Sequence, residues 1–177
     1  MASHLPIRNT RVAVARQVGL VTLKPHECSV MSSVKNSEGQ KGINVPKTTP
    51  EQNKALVLEA FDTLFNKRDY ARAEKFWSPH YIQHSAHIPP GREGVFDLIK
   101  SLPPTLKYEH RTIVAEGNFV MVHGRFSNFG LPANWIAADI VRIENGMLAE
   151  HWDVIEDEVS KQASRSGLPM FGEEFSK

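Results

Sequence analysis

The chain has 177 residues, enough for one ordinary domain with a real core and too few for two of typical size. Its 21 lysines and arginines against 20 acids leave a formal net charge of +1, which excludes a nucleic-acid or membrane-surface binder held by bulk charge and favours a small molecule or a second copy of the chain as partner. The single cysteine, Cys28, excludes an intramolecular disulfide, and no stretch reaches the ~20 consecutive apolar residues of a membrane span.

Residues 1–48 read as an extension. The first 50 residues hold no Phe, Trp or Tyr, and their basic residues outnumber acids by seven to two, so they have little with which to anchor a core. Arg8, Arg11, Arg16 and Lys24, without an acid before Glu27, follow the charge pattern of a mitochondrial transit peptide, although serine is scarce. The competing expectation is an uninformative extension, with Met31 as a second start. The start also lacks the apolar core of a secretory signal, and the chain is expected to be soluble and cytoplasmic.

The domain is expected over residues 49–159. Thr49-Pro50-Glu51-Gln52 combines a capping threonine, a proline at the first helical position and a glutamine three residues past the cap. It predicts a helix to about residue 66, with Val57, Phe61 and Leu64 on one face, flanked by Leu58 and Phe65. Asp69 caps a shorter predicted helix through Trp77, interrupted by Ser78-Pro79. A third helix, with Val95, Leu98, Ile99 and Leu102 as its stripe, lies between Pro89-Pro90-Gly91 and Pro103-Pro104. Three helices are therefore expected first. β-rich runs follow at residues 108–115, 119–128, 135–143 and 147–154, with hairpin turns at Glu116-Gly117-Asn118 and Glu144-Asn145-Gly146. This order predicts an α+β fold with helices on one face of an antiparallel-rich sheet. Residues 160–177, with Leu168, Met170, Phe171 and Phe175, form a tail expected to cover a pocket mouth or a dimer partner, its polar part competing with disorder.

The last hairpin decides the surroundings of Asp139. A two-residue turn, Asn145-Gly146, sets Asp139 opposite Trp152; a three-residue loop sets it opposite His151. The second register separates apolar from charged residues better: Val141, Ile143, Met147 and Ala149 share a face with Asp139 and His151, while Arg142 and Glu150 meet on the other. It is the preferred expectation. A carboxylate on an apolar face must be hydrogen-bonded, paired or neutralised, because a dry, unpaired ionised carboxylate is very costly.

Tyr81-Ile82-Gln83-His84, Pro89-Pro90-Gly91 before a helix, Asp139-Ile140-Val141-Arg142 and Asn145-Gly146 through Glu150-His151-Trp152-Asp153 together resemble the SnoaL-like polyketide cyclase family of the nuclear transport factor 2-like superfamily. The resemblance covers about residues 49–155. It implies a strongly curved sheet wrapped around a pocket, dimerisation through the outer face of the sheet, and an intramolecular aldol condensation without metal or organic cofactor. It also implies that Asp139 is the general acid/base, with His123 on the preceding strand beside it, and it assigns His84 to the family's Tyr-Ile-Gln-His motif.

Removing a proton α to a carbonyl needs a base in an apolar site and a donor for the enolate oxygen. Asp139 is the candidate base, and His84, His123, Tyr81 or His151 the candidate donor. Trp77, Trp135, Met121 and Arg125 are expected at the substrate, with core packing and a solvated arginine as the plain alternatives. Two other outcomes stay open: a non-catalytic binding or dimerisation module, in which Asp139 is structural, and an epoxide hydrolase, whose Asp-Arg-Asp arrangement has Arg125, Asp139 and Asp153 as its only candidates. His80, His84 and His87 have the spacing of a helical metal site, but the flanking prolines argue for irregular chain, and pocket-rim histidines are the expectation.

Overall fold

Helix formation begins where the capping signal stands. In the computed structural model, which describes residues 48–176, the Thr49 side chain accepts from the Gln52 N–H while the Gln52 side chain accepts from the Thr49 N–H, and helix α1 runs over Pro50–Phe61. The helix continues as a π turn, Asp62–Asn66, closed by a hydrogen bond from Lys67 N–H to the Asp62 carbonyl. Asn66 then bonds both backbone groups of Tyr108, donating to its carbonyl at 3.1 Å and accepting its N–H at 2.8 Å. Asp69 caps α2, which is a single turn, Tyr70–Ala73, and not a helix reaching Trp77.

Trp77–Gln83 is strand β1, so a strand separates the second helix from the third. Helix α3 occupies Gly91–Ser101. Strands β2 (Lys107–Glu116), β3 (Phe119–Ser127), β4 (Trp135–Glu144) and β5 (Met147–Asp157) complete a five-stranded sheet of order β1-β5-β4-β3-β2. All neighbours pair antiparallel except β1 with β5. The position of β1 at the sheet edge explains why Pro79 is tolerated within it, since an edge strand has one row of N–H groups that no neighbour needs.

Val57, Phe61, Leu64 and Phe65 of the first helix pack with Trp77, Val95, Phe96, Ile99, Val120, Val122, Val141 and Leu148 in one apolar cluster between helices and sheet. Full burial of such side chains is worth about 1.5–3 kcal/mol each and sets which face of every strand turns inward. The expectations for residues 1–47 concern a segment outside the described residues. No helix among the described residues is long and apolar enough to cross a membrane. In the tail, Phe171 is buried and Leu168 is exposed.

Candidate active site

Asn145 and Gly146 both adopt positive φ, 53° and 73°, so the β4–β5 turn has two residues. The ladder starts as Glu144 opposite Met147 and Ile143 opposite Leu148, then slips by one at a bulge that leaves Ala149 unpaired. Beyond it Arg142 faces Glu150, Val141 faces His151 and Asp139 faces Asp153. Neither expected register is the observed one. The bulge nevertheless turns His151 and Asp139 to the same side, and Arg142 and Glu150 to the other, where Arg142 Nε donates to Glu150 Oε2 at 2.7 Å.

The inward side of this ladder borders a cavity. Its walls are Phe61 and Phe65 from the first helix, Val95, Leu98 and Ile99 from α3, Trp77 and Tyr81 from β1, and Phe126, Phe129 and Trp135 around β3 and β4. Asp139, His151, Asp153 and Gln83 give it one polar region, and exposed His87 marks a solvent side. The cavity volume is about 60 Å³. That is far below the ~300–1,000 Å³ of ordinary ligand pockets.

Asp139 is 4% exposed and His151 5% exposed. His151 Nε2 lies 3.1 Å from Asp139 Oδ1, and His151 Nδ1 lies 2.9 Å from Gln83 Oε1. Asp139 Oδ2, Trp77 Nε1, Gln83 Nε2 and the Tyr108 hydroxyl are buried without a partner. Burial pushes the Tyr81 hydroxyl well above the ordinary phenol range; Asp139 and Asp153 push it the same way, with Trp77 and Gln83 opposing. Burial, followed by the charge of Asp139, raises Tyr108 as well. Both hydroxyls therefore remain protonated donors at ordinary pH.

Asp139, His151 and Asp153 each place one ligand-type atom within 4.8 Å of the others. A zinc-sized cation about 2.1 Å from each donor would span at most ~4.2 Å, so the cluster would have to contract to hold an ion of that size.

Of the sequence-derived residues, the cavity gathers Asp139, His151, Tyr81, Trp77 and Trp135. His123, Met121 and Arg125 lie on the opposite face of the sheet, because Val122 is the β3 residue opposite Asp139 and its neighbours alternate outward. His123 sits 5.5 Å from the Phe171 ring, and Arg125 lies over that ring while pairing with Glu109 at 2.7 Å and Glu158 at 3.5 Å. His84 is also outside the cavity, 2.9 Å from Glu150 and stacked on Trp152, whereas His87 leans on Trp135. The tail residue Phe171 packs on the outer side of β3 and is not among the cavity walls.

Gln83 is the site member that the sequence did not single out, and Asp153 was named only for the epoxide-hydrolase alternative. Asp153 follows His151 by two positions on one strand and so shares its face. Gln83 follows Tyr81 by two, a relation hidden while residues 80–87 read as irregular chain.

Residues 57–151 match the family model described as SnoaL-like domain. No curated protein is significantly similar to the chain. Among solved structures, AclR from Streptomyces galilaeus, described as a candidate hydroxylase, is 25% identical with a TM-score of 0.50 over 61% of this chain and 91% of its own. A Kribbella flavida protein described as a candidate ketosteroid isomerase is 13% identical with a TM-score of 0.55, covering 72% and 97%. A protein described as NTF2-like, from Cytophaga hutchinsonii, is 18% identical with a TM-score of 0.51, covering 59% and 89%. The last two likenesses concern the fold alone.

Proposed function

The chain belongs to the SnoaL-like domain family, and from that premise we propose that it is a cofactor-independent enzyme using general acid/base chemistry, an aldol-type cyclisation or an isomerisation, on an apolar small molecule that carries a carbonyl group. The observation that carries this reading is the buried Asp139–His151 pair at the polar end of an apolar cavity, with Asp139 Oδ2 free to accept a proton. A carboxylate oxygen so placed is within reach of a C–H presented by a molecule in the cavity, which is the geometry that general base catalysis requires.

The donor for the enolate oxygen is assigned to Tyr81, the hydroxyl on the cavity wall that burial keeps protonated. Trp77 Nε1 and Gln83 Nε2, both buried without partners, offer further N–H groups to the same oxygen. A carbonyl with an adjacent C–H would satisfy two kinds of orphaned atom at once: N–H donors and a carboxylate acceptor. The enclosed volume limits what enters to the reacting end of such a molecule.

A second copy of the chain is assigned to the outer face of the sheet, where Ile82, Val114, Phe119, Met121 and Val154 are exposed. Exposed apolar residues on one sheet face favour self-association.

The small volume favours one competing reading, a non-catalytic dimerisation module in which Asp139 is structural. An epoxide hydrolase of the Asp-Arg-Asp kind is disfavoured, since Arg125 is on the far side of the sheet from Asp139 and Asp153. The test is solvent deuterium uptake α to the carbonyl of small cyclic ketones, followed by NMR in D₂O. Wild type is expected to speed exchange for at least one ketone, and Asp139→Asn to lose about 10²–10⁴-fold of that rate while folding normally. Full exchange by the variant sinks the assignment; no exchange by either, with a changed melting temperature, supports the structural reading.

A further inference from the structure

Gln83 Oε1 has two neighbours that decide the protonation of His151. The Ser85 backbone N–H lies 2.9 Å from it, and a backbone N–H only donates, so the Gln83 atom it meets is the carbonyl oxygen. His151 Nδ1 lies 2.9 Å from the same oxygen. An amide oxygen only accepts, and Nδ1 must therefore carry hydrogen. In a neutral imidazole this leaves Nε2 bare, 3.1 Å from Asp139 Oδ1, where two lone pairs would face each other in a buried site. A proton between them removes the conflict. The pair is then imidazolium with carboxylate or imidazole with carboxylic acid, and both forms hold the same number of protons.

We propose that Gln83 is a positioning residue: by holding His151 as an Nδ1–H donor, it makes Asp139 and His151 a pair that shares one proton and carries no net charge. Without that acceptor, His151 would keep its one hydrogen on Nε2, donate it to ionised Asp139, and leave the pair with a charge of −1 beside Asp153. The neutral state suits an apolar cavity, where desolvating a net charge costs most. It also gives the site a proton to donate as well as a carboxyl oxygen to receive one, the two capacities that an enolisation and its reversal need. Ser85 supports the arrangement by fixing which end of the carboxamide faces the imidazole, much as outer partners orient a ligating histidine. The inference rests on the acid/base reading for its catalytic meaning, but its physical content is the hydrogen on Nδ1.

The experiment is long-range ¹H–¹⁵N correlation on the full chain with ¹⁵N-labelled imidazoles, His151 being assigned by the signal lost in His151→Gln. Wild type near neutral pH is expected to show Nδ1 of His151 protonated. Gln83→Glu, which retains an accepting oxygen, keeps that pattern. Gln83→Leu, which has none, moves the hydrogen to Nε2. A bare Nδ1 in wild type, or an unchanged pattern in Gln83→Leu, overturns the proposal; if Gln83→Leu fails to fold, the wild-type and Gln83→Glu spectra decide. A failure of the acid/base reading would look different: no ketone exchange with the Nδ1–H signature intact.

Discussion

Asp139 lies directly across the β4–β5 ladder from Asp153, yet its hydrogen bond is to His151, two residues earlier on the same face. Two carboxyl groups, the His151 imidazole and the Gln83 carboxamide thus meet in a cavity whose lining is mostly apolar and aromatic and includes no lysine or arginine.

Gly94 in α3 is the position where the helix rests on the segment that bears His87. A Cβ there would fall 2.1 Å from the Pro89 carbonyl oxygen, a backbone atom that cannot swing aside. Gly94→Ala should therefore destabilise by about 1–3 kcal/mol, despite the ~1 kcal/mol that alanine ordinarily adds in a helix. Urea denaturation measures the sign directly; a stabilised variant would contradict the close approach.

Glu150 should make stability depend on acid. His84 first, and Arg142 second, hold its carboxyl below the usual range by hydrogen bonding. A folded value below the unfolded one contributes stability that is fully present above the unfolded value and is lost as pH falls through the folded one. Melting temperatures of wild type and Glu150→Gln should differ near neutral pH and converge as pH falls below about 4.5. A gap that persists undiminished at pH ~2 would contradict the pairing.

The exposed apolar residues on the outer side of the sheet predict a dimer. Val154 is 71% exposed and Met121 45%, and a charge at either position would be buried unpaired if a second sheet covered them. Light scattering coupled to size exclusion should give a dimer for wild type and a monomer for Val154→Lys. A monomeric wild type would contradict the assignment.

Much of this arrangement was legible in the sequence because it rests on local rules. The Thr49–Gln52 capping box begins α1 where its residues say, and separating apolar from charged residues across the last hairpin already set Asp139 and His151 on one face. The register was not legible. The two-residue turn alone would set Asp139 opposite Trp152, and the bulge at Ala149, which restores the inward face, answers to packing across the sheet. Strand β1 was hidden by Pro79, since only the assembled sheet reveals that this strand is an edge. The misplacement of His123, Met121 and Arg125 had a readable remedy: buried Val120 and Val122 alternate with them, so the three had to point away from the core.

The most direct test of the central claim compares Asp139→Asn, His151→Gln and the double variant in ketone α-proton exchange. Groups that act as one unit lose activity together, so the double variant should be no slower than the worse single variant, within about threefold. Multiplying losses would show two groups acting independently and would contradict the account, as would a wild-type rate no faster than buffer.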